Sequence, residues 1–537
     1  MNRRNFLIRS GSATLGALTY QSSFGQTNQT ANQPAADQPT TAEFVVDSES
    51  PSHLIPLNYN GLSYELAQLS NPNFFSGSNK QLIALFRLLS PQGVLRLGGN
   101  SSESCWFKAD PSTSAPELRQ ASGSVAENWM PHRLFMIQPE AIDQLAEFLN
   151  RTGWQVIYGL NLGNSSPERA AKEAEYVAKA VGDHLLYFQI GNEPDFYHDA
   201  NNATRPANWG FPEYLAEWTQ FADAISQRVT EAKFGGPDVG SNSNWISKFA
   251  AGAEKNLGSR LLAVTGHYYA EGPPNDPKVT TARLLRTTQS IAKQTKSITQ
   301  AAAKDHLIYR MTEGNSCYRG GKPGMSDAFA SALWAGDYML TLAMAGCAGV
   351  NFHGGSRDFL RASLGDHMPG EQVAANGNTP KDQTAPDASV AKGGYYTPIA
   401  GEVDVGFSAR PIFYGMFLAN QLAGANTRPV TLNNVSPVNA TAYAGEKDGQ
   451  LRIAVFNKDE SNPLRLVLRT SPENKKSTVW RLTAPALDAT SGITLAGSEI
   501  SPAGTWSATK TETLQSTPDG PLLEIPRSSA ALVFLDR

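Results

Sequence analysis

The chain has 537 residues, 40% of them hydrophobic and 18% charged, with 46 glycines and 33 prolines. This globular, loop-rich composition excludes a fibrous or disordered chain and has room for one barrel-sized domain plus a smaller partner. The formal charge is −4, and the first 26 residues carry Arg3, Arg4 and Arg9 with no acid, so the remainder is more acidic still. That balance argues against a general polyanion or nucleic-acid binder.

In chain order, the start NRRNFLIRS runs into a modestly apolar, Ser/Gly/Ala-rich stretch ending near Gly25. Arg-Arg-x-Phe-Leu before an apolar segment resembles a twin-arginine export signal, so residues 1–26 are expected to direct the protein to the periplasm or outside the cell. The alternative is a disordered basic N-terminus. Residues 27–43, rich in Gln, Thr, Asn, Ala and Pro, read as a flexible linker.

Short apolar runs ending in Gly or polar clusters then alternate with helical-period segments, the mark of a parallel sheet wrapped by helices. Eight runs read as strands, at 59–66, 93–99, 155–163, 185–194, 233–240, 261–270, 306–315 and 349–355. Amphipathic helices are expected from 139, 166, 212 and 326, several opened by Ser-Pro or Pro-Glu. The apolar window 332–350 contains Asp337 and reads as a core helix running into a strand, not a membrane span. After residue 420 the helical period gives way to β-type runs such as LRIAVFN and STVWRLTA. The expected fold is α/β: a (β/α)8 TIM barrel over 58–420 with a second, smaller β-sandwich from 44–57 plus 421–537. The run AEFVVD at 42–47 is expected to pair with that C-terminal sheet. A doubly wound open sheet is the competitor, but no Gly-x-Gly-x-x-Gly turn or Walker sequence is present.

Barrel chemistry sits where strands end at their C-termini. Glu193 closes the fourth run in FQIGNEPDF, and Glu313 closes the seventh in IYRMTEGNSCY. Hydrolysing a glycoside requires one carboxylic acid at the leaving oxygen and a second carboxylate across the sugar. Strands four and seven face each other across a barrel mouth. Either glutamate alone would more ordinarily be a solvated or helix-capping carboxylate. Tyr269, in GHYYAEG, is placed to donate to Glu313 and keep it ionised, or else it is a wall aromatic. The eight histidines are scattered with no H-E-x-x-H, and Cys105, Cys317 and Cys347 form no C-x-x-C, so neither a metal, a cofactor nor a disulfide framework is called for.

Asn192-Glu193-Pro194 after an apolar strand, with a second strand-ending Glu three units later, resembles the clan of barrel glycosidases with glutamates on strands four and seven. Together with LRLGGN at 95–100, GPDVG at 236–240, HYY at 267–269 and Glu313-x-x-x-x-Tyr318, the chain is similar over about 58–425 to glycoside hydrolase family 79, bacterial β-glucuronidases and animal heparanases. The resemblance implies a retaining mechanism with Glu193 as acid/base and Glu313 as nucleophile, Asn192 on the sugar 2-hydroxyl, and Glu65 on the 3- and 4-hydroxyls. Asn100 and Ser101 would line the same pocket. It implies a grip on the C6 carboxylate by Tyr318 and by Gly394 with Tyr395 or Tyr396 in KGGYYTPI, a segment that otherwise reads as a turn with packed aromatics.

Two departures from heparanases bear on the substrate. Nearly forty residues separate His353-Gly354-Gly355 from Gly393, and DFYHDANNATRP after Glu193 offers only Arg205 as a basic residue. The expected partner is a carbohydrate bearing terminal β-glucuronate, released in exo fashion. An endo-β-glucuronidase of heparanase or hyaluronidase type and a non-catalytic carbohydrate-binding barrel are the alternatives; oligomeric state is not legible.

Overall fold

A computed structural model describes residues 39–47, 49–119, 133–199, 204–356, 372–373, 394–470 and 476–536. The export segment 1–26 and the linker up to residue 38 lie outside them, as does nearly all of the stretch between Ser356 and Gly394. Eight strands form a closed parallel barrel: β1 (Asn60–Glu65), β2 (Val94–Gly98), β3 (Gln155–Leu160), β4 (Leu185–Ile190), β5 (Phe234–Val239), β6 (Leu261–Glu271), β7 (Ile308–Cys317) and β8 (Val350–Gly354). Strand β8 pairs with β1, Val350 opposite Asn60 and Gly354 opposite Tyr64, and this closure rules out the open doubly wound sheet.

Each strand is followed by a helix: α1 (Lys80–Leu89), α2 (Pro139–Thr152), α3 (Pro167–Val181), α4 (Phe211–Arg228), α5 (Asn244–Leu257), α6 (Thr288–Lys304), α7 (Phe329–Met344) and α8 (Pro411–Asn420). Their ends follow local chemistry. In α3 the Ser166 side chain caps the N–H of Arg169 and Pro167 takes the first turn, while α2 stops at Gly153 in the left-handed region, φ 76°. Strands β1, β2, β5 and β8 are buried along their whole length, because helices cover one face and the barrel interior the other. Among the described residues no helix is long and apolar enough to cross a membrane, and Cys105, Cys317 and Cys347 are buried free thiols.

The C-terminal region is two packed sheets, one of five strands and one of six. Along Gln450–Asn457 the side chains alternate: Leu451, Ile453 and Val455 enter the core between the sheets, and Ala454 and Phe456 pack on the barrel helices. The strand Thr40–Val46 runs parallel to Leu464–Arg469 and antiparallel to Val430–Asn433, burying Ala42 and Phe44. Residues 40–43 therefore belong to this sheet and not to the linker expected to extend to 43. The run AEFVVD pairs with the C-terminal sheet as expected, and its strand begins two residues earlier, at Thr40.

Helices α7 and α8, apolar all round, lie between the barrel and the six-stranded sheet, touching backbone to backbone where Gly415 leaves no room for a Cβ against the Ala332 carbonyl. Asp337, which interrupts the apolar run of α7, is fully buried there. It pairs with Lys458 at 2.5 Å and accepts from Thr288 at 2.9 Å and from Thr441 and Tyr443. Removing one partner leaves an uncompensated buried charge. Lys458→Met should therefore cost roughly 3–5 kcal/mol in urea unfolding; a loss below about 1 kcal/mol would show that the pair does not hold barrel and sandwich together.

Candidate active site

Strand β4 leads into Gly191, Asn192 and Glu193, and Glu193 adopts the left-handed conformation, φ 47°, that a side-chain-bearing residue holds only under constraint. The constraints are visible. The Glu193 N–H donates to the Asp238 carbonyl at 2.9 Å, the Asn192 N–H to Glu103 Oε1 at 2.8 Å, and Trp209 Nε1 to the Pro194 carbonyl at 2.9 Å. Opposite, β7 shifts register between Met311 and Glu313, which re-aims Glu313 into the mouth.

Between them lies Arg96 of β2, 1% exposed. It donates to Glu313 Oε2 at 2.6 Å, Asn192 Oδ1 at 2.7 Å, Gln189 Oε1 at 3.2 Å, Ser63 Oγ at 3.1 Å and to Asp238. These five acceptors come from β1, β4, β5, β7 and the end of β4, so one guanidinium gathers four strands. His267 of β6 stands 3.1 Å from Glu193 through Nδ1 and 3.0 Å from Asp238 through Nε2. The Tyr269 hydroxyl donates to Glu313 Oε1 at 2.8 Å, the donor geometry expected of it. One oxygen of Glu193, one of Glu313 and a ring nitrogen of His267 all lie within 4.8 Å of one another.

These neighbours push the two carboxyls in opposite directions. For Glu313, burial alone would raise the pKa, but the charges of His353, His267 and Arg96 and the Tyr269 hydroxyl bring it down to about 2. Glu193 is raised from the ordinary carboxyl range, by burial and by repulsion from Glu313 and Asp195, against the pull of His267. Burial would lower His267, yet the carboxylates of Asp238 and Glu313 lift it to about 10. Both ring nitrogens of His267 face carboxylates, Nδ1 toward Glu193 and Nε2 toward Asp238, an arrangement that suits proton chemistry. One buried carboxyl is set to give a proton and another to carry negative charge.

The other expected residues gather around this pair. Glu65 Oε2 accepts from the Ser101 N–H at 2.8 Å and hydroxyl at 2.6 Å, and Oε1 lies 3.3 Å from His353 Nε2. Gly99, φ 74°, leaves no space for a Cβ beside that carboxylate, which explains the second glycine of LRLGGN. Asn100 Oδ1 is 3.4 Å from Asn192 Nδ2. Tyr318 packs against Gly272 and edge-on to Tyr269, whose ring centroid is also 6.2 Å from that of Tyr396. The N–H groups of Gly394 and Tyr395 both donate to the Gly320 carbonyl, at 3.2 and 2.8 Å, so this segment is tied to the loop after β7. Tyr396 is the buried member of the tyrosine pair; Tyr395 is more exposed.

Sequence reasoning assigned no role to Arg96, Asp238, His267, His353 or Glu103. A signal existed for the first, since a charged residue sits inside the apolar run VLRLG. Arg205, the one basic residue after the NEP motif, is 7% exposed: it pairs with Glu217 at 2.8 Å and donates to the carbonyls of Leu162 and Gly163.

Two facing carboxyls whose surroundings favour opposite protonation states are the arrangement that glycoside hydrolysis commonly uses. No family model matches the chain. Two curated relatives are beta-glucuronidases: one from Aspergillus niger, 29% identical over 312 residues covering 54% of this chain and 55% of the relative, and one from Neurospora crassa, 24% identical over 510 residues covering 84% and 86%. The chain thus spans about half the length of the Aspergillus relative in that match. In fold it is similar to a 4-O-α-L-rhamnosyl-β-D-glucuronidase from Fusarium oxysporum 12S, with TM-score 0.69, 18% identity and coverage of 92% of this chain and 99% of that one. It is also similar to a GH51 arabinofuranosidase from Xanthomonas axonopodis pv. citri, with TM-score 0.60, 14% identity and coverage of 92% and 100%.

The His267 imidazolium is checkable. A pKa raised above the free value of 6.5 means that its ion pair contributes fully below that pH and is lost as pH rises through about 10. A nitrogen-15 NMR titration of the imidazoles should find His267 still protonated at pH 8; a midpoint near 6.5 would contradict the pairing.

Proposed function

We propose that the protein is a retaining exo-β-glucuronidase, a glycoside hydrolase allied to family 79, that releases terminal β-linked glucuronate. The observation that carries this reading is the pair Glu193 and Glu313, with oxygens within 4.8 Å and protonation tendencies driven apart. That spacing is in keeping with the short carboxyl gap of retaining enzymes, about 5–5.5 Å, rather than the wider gap of inverting ones. The names of the two curated relatives point to glucuronides as the substrate class.

In this mechanism Glu193 protonates the glycosidic oxygen while Glu313 attacks the anomeric carbon, giving a glycosyl-enzyme ester. Glu193, now ionised, takes a proton from the water that hydrolyses it. Tyr269 and Arg96 hold Glu313 as the anion before attack. The His267 imidazolium stabilises the Glu193 carboxylate left after proton transfer. Asn192, pinned by Arg96, offers its amide to the 2-hydroxyl, and Glu65 with Ser101 and Asn100 forms the pocket for the 3- and 4-hydroxyls. The hydroxyls of Tyr318 and Tyr396 suit a single carboxylate at C6. The backbone N–H groups of Gly394 and Tyr395 are already bonded to Gly320, so within this turn it is the Tyr396 side chain that serves the grip.

Two observations favour exo action on an unsulfated chain. Residues 372–373 return after β8 to pair with the strand Arg133–Ile137, which packs beside the turns Leu66–Ser70 and Asn100–Ser104 and so bounds the Glu65 side of the mouth. Arg205 is sequestered by Glu217, which leaves the loop after Glu193 without a cation for sulfate. Export by the twin-arginine route is part of the same proposal and rests on the sequence alone.

On one purified sample, aryl β-glucuronide should be cleaved far faster than the matching glucoside or xyloside; preference for the glucoside would overturn the sugar assignment. Glu313→Gln should abolish turnover. Glu193→Ala should lose about 10²–10⁴-fold on poor leaving groups and much less on good ones, and an equal loss on all leaving groups would contradict its role as acid.

A further inference from the structure

Beside the turn that carries the proton donor sits a buried carboxyl that the mechanism above does not use. Glu103 lies in the turn Asn100–Ser104 that follows β2 and is 7% exposed. Its Oε1 accepts the Asn192 N–H at 2.8 Å, its Oε2 accepts the Gly163 N–H, and Tyr197 also donates to the carboxyl. Gly163 carries no side chain because a Cβ there would run into Glu103 Oε2. The clasp continues outward: Asn164 Nδ2 donates to the Glu103 carbonyl at 2.8 Å, and Arg205 donates to the carbonyls of Leu162 and Gly163 at 3.0 Å while stacking over Trp209. One carboxylate thus joins the loops that leave β2, β3 and β4.

The strand pairing of β4 gives out at Ile190, opposite Leu160. The Asn192 N–H is therefore a donor beyond the ladder, and burying it without an acceptor would be costly. It belongs to Asn192, the residue directly before Glu193, which is held at φ 47°. We propose that Glu103 is a positioning residue for the proposed acid/base: by accepting the Asn192 and Gly163 N–H groups together, it fixes the turn that aims the Glu193 carboxyl at the leaving oxygen. The inference rests on the glycosidase reading, and it reaches Glu193 through the adjoining backbone, whereas Glu313 is tied to Asn192 only through Arg96 and is held as well by Tyr269. A defect at Glu103 should consequently fall on protonation of the leaving group and spare nucleophilic attack.

The test compares kcat/KM, which reports the first chemical step, for an activated dinitrophenyl and an unactivated phenyl β-glucuronide with wild type, Glu103→Gln, Glu103→Asp and Glu173→Gln. Glu103→Gln puts an amide N–H₂ where an acceptor is needed, and Glu103→Asp is too short to reach both N–H groups. Both should lose on the order of 10²-fold on the phenyl substrate, as misplacement of a reacting group by about 1 Å does, and less than about 5-fold on the dinitrophenyl one. Glu173 is a control: it is 6% exposed, on α3, bonded to the Tyr158 hydroxyl at 2.8 Å, and its substitution should leave the ratio of the two substrates unchanged. Because both substrates are read on the same sample, the ratio does not depend on how much of a variant is folded. Equal losses on the two substrates in both Glu103 variants would overturn the proposal. If wild type cleaves no glucuronide, the proposed function fails by itself, and the same ratio is then taken on whichever dinitrophenyl and phenyl glycosides it cleaves.

Discussion

Three carboxyls, Glu193, Asp238 and Glu313, crowd the centre of a barrel mouth, and the contacts of Arg96 make this tolerable. Buried carboxylates so close together would repel and take up protons. Arg96 bonds Asp238 and Glu313 at once, and His267 spans Asp238 and Glu193. Glu313, faced by Arg96, His267 and His353, and Asp238, faced by Arg96 and His267, are held as anions, whereas burial and the repulsion of Glu313 favour the neutral form of Glu193. Burial alone would push Asp238 toward protonation, but the charges of Arg96 and His267 facing it hold its carboxyl well below the ordinary range. The same guanidinium orders Asn192 next to Glu193, so charge state and geometry at the mouth descend from one side chain.

The rest of the molecule serves to keep these groups from relaxing. The left-handed turn at Glu193 is fastened on three sides, by Asp238 of the next strand, by Glu103 of the loop after β2, and by Trp209 through Pro194. On the far side, β7 leads into α7, which with α8 fills the space between barrel and six-stranded sheet and is locked there by Asp337 and Lys458. The sandwich thus backs the helices on the Glu313 side, a placement that favours a rigid Glu313 carboxylate over a mobile one.

The barrel was legible in the sequence because its signal is local: apolar runs closing on polar clusters, separated by amphipathic segments, and all eight runs became strands. Glu193, Glu313 and Tyr269 were legible because chemistry at strand ends narrows the choice of residue. Arg96, Asp238 and His267 were not, although they sit in motifs that stand out, since which inward side chains share a layer depends on the register of strands that meet only when the barrel closes. The strand at 42–47 was legible, but its start at Thr40 and its particular partners, some 390 and 420 residues further on, were not, for a related reason. That the Gly394 and Tyr395 N–H groups are taken by Gly320 is a fact of loop packing with no counterpart in residue order.

The most direct measurement of this charge arrangement is a carbon-13 NMR titration of protein labelled at the glutamate carboxyl carbons, with Glu193→Gln and Glu313→Gln used to assign the two resonances. The expected result is that the Glu313 signal is already that of a carboxylate at pH 4 while the Glu193 signal titrates above the ordinary carboxyl range, in keeping with a pKa of about 2 for the first and a raised one for the second. Coincident midpoints, or the reverse order, would contradict the assignment of donor and nucleophile.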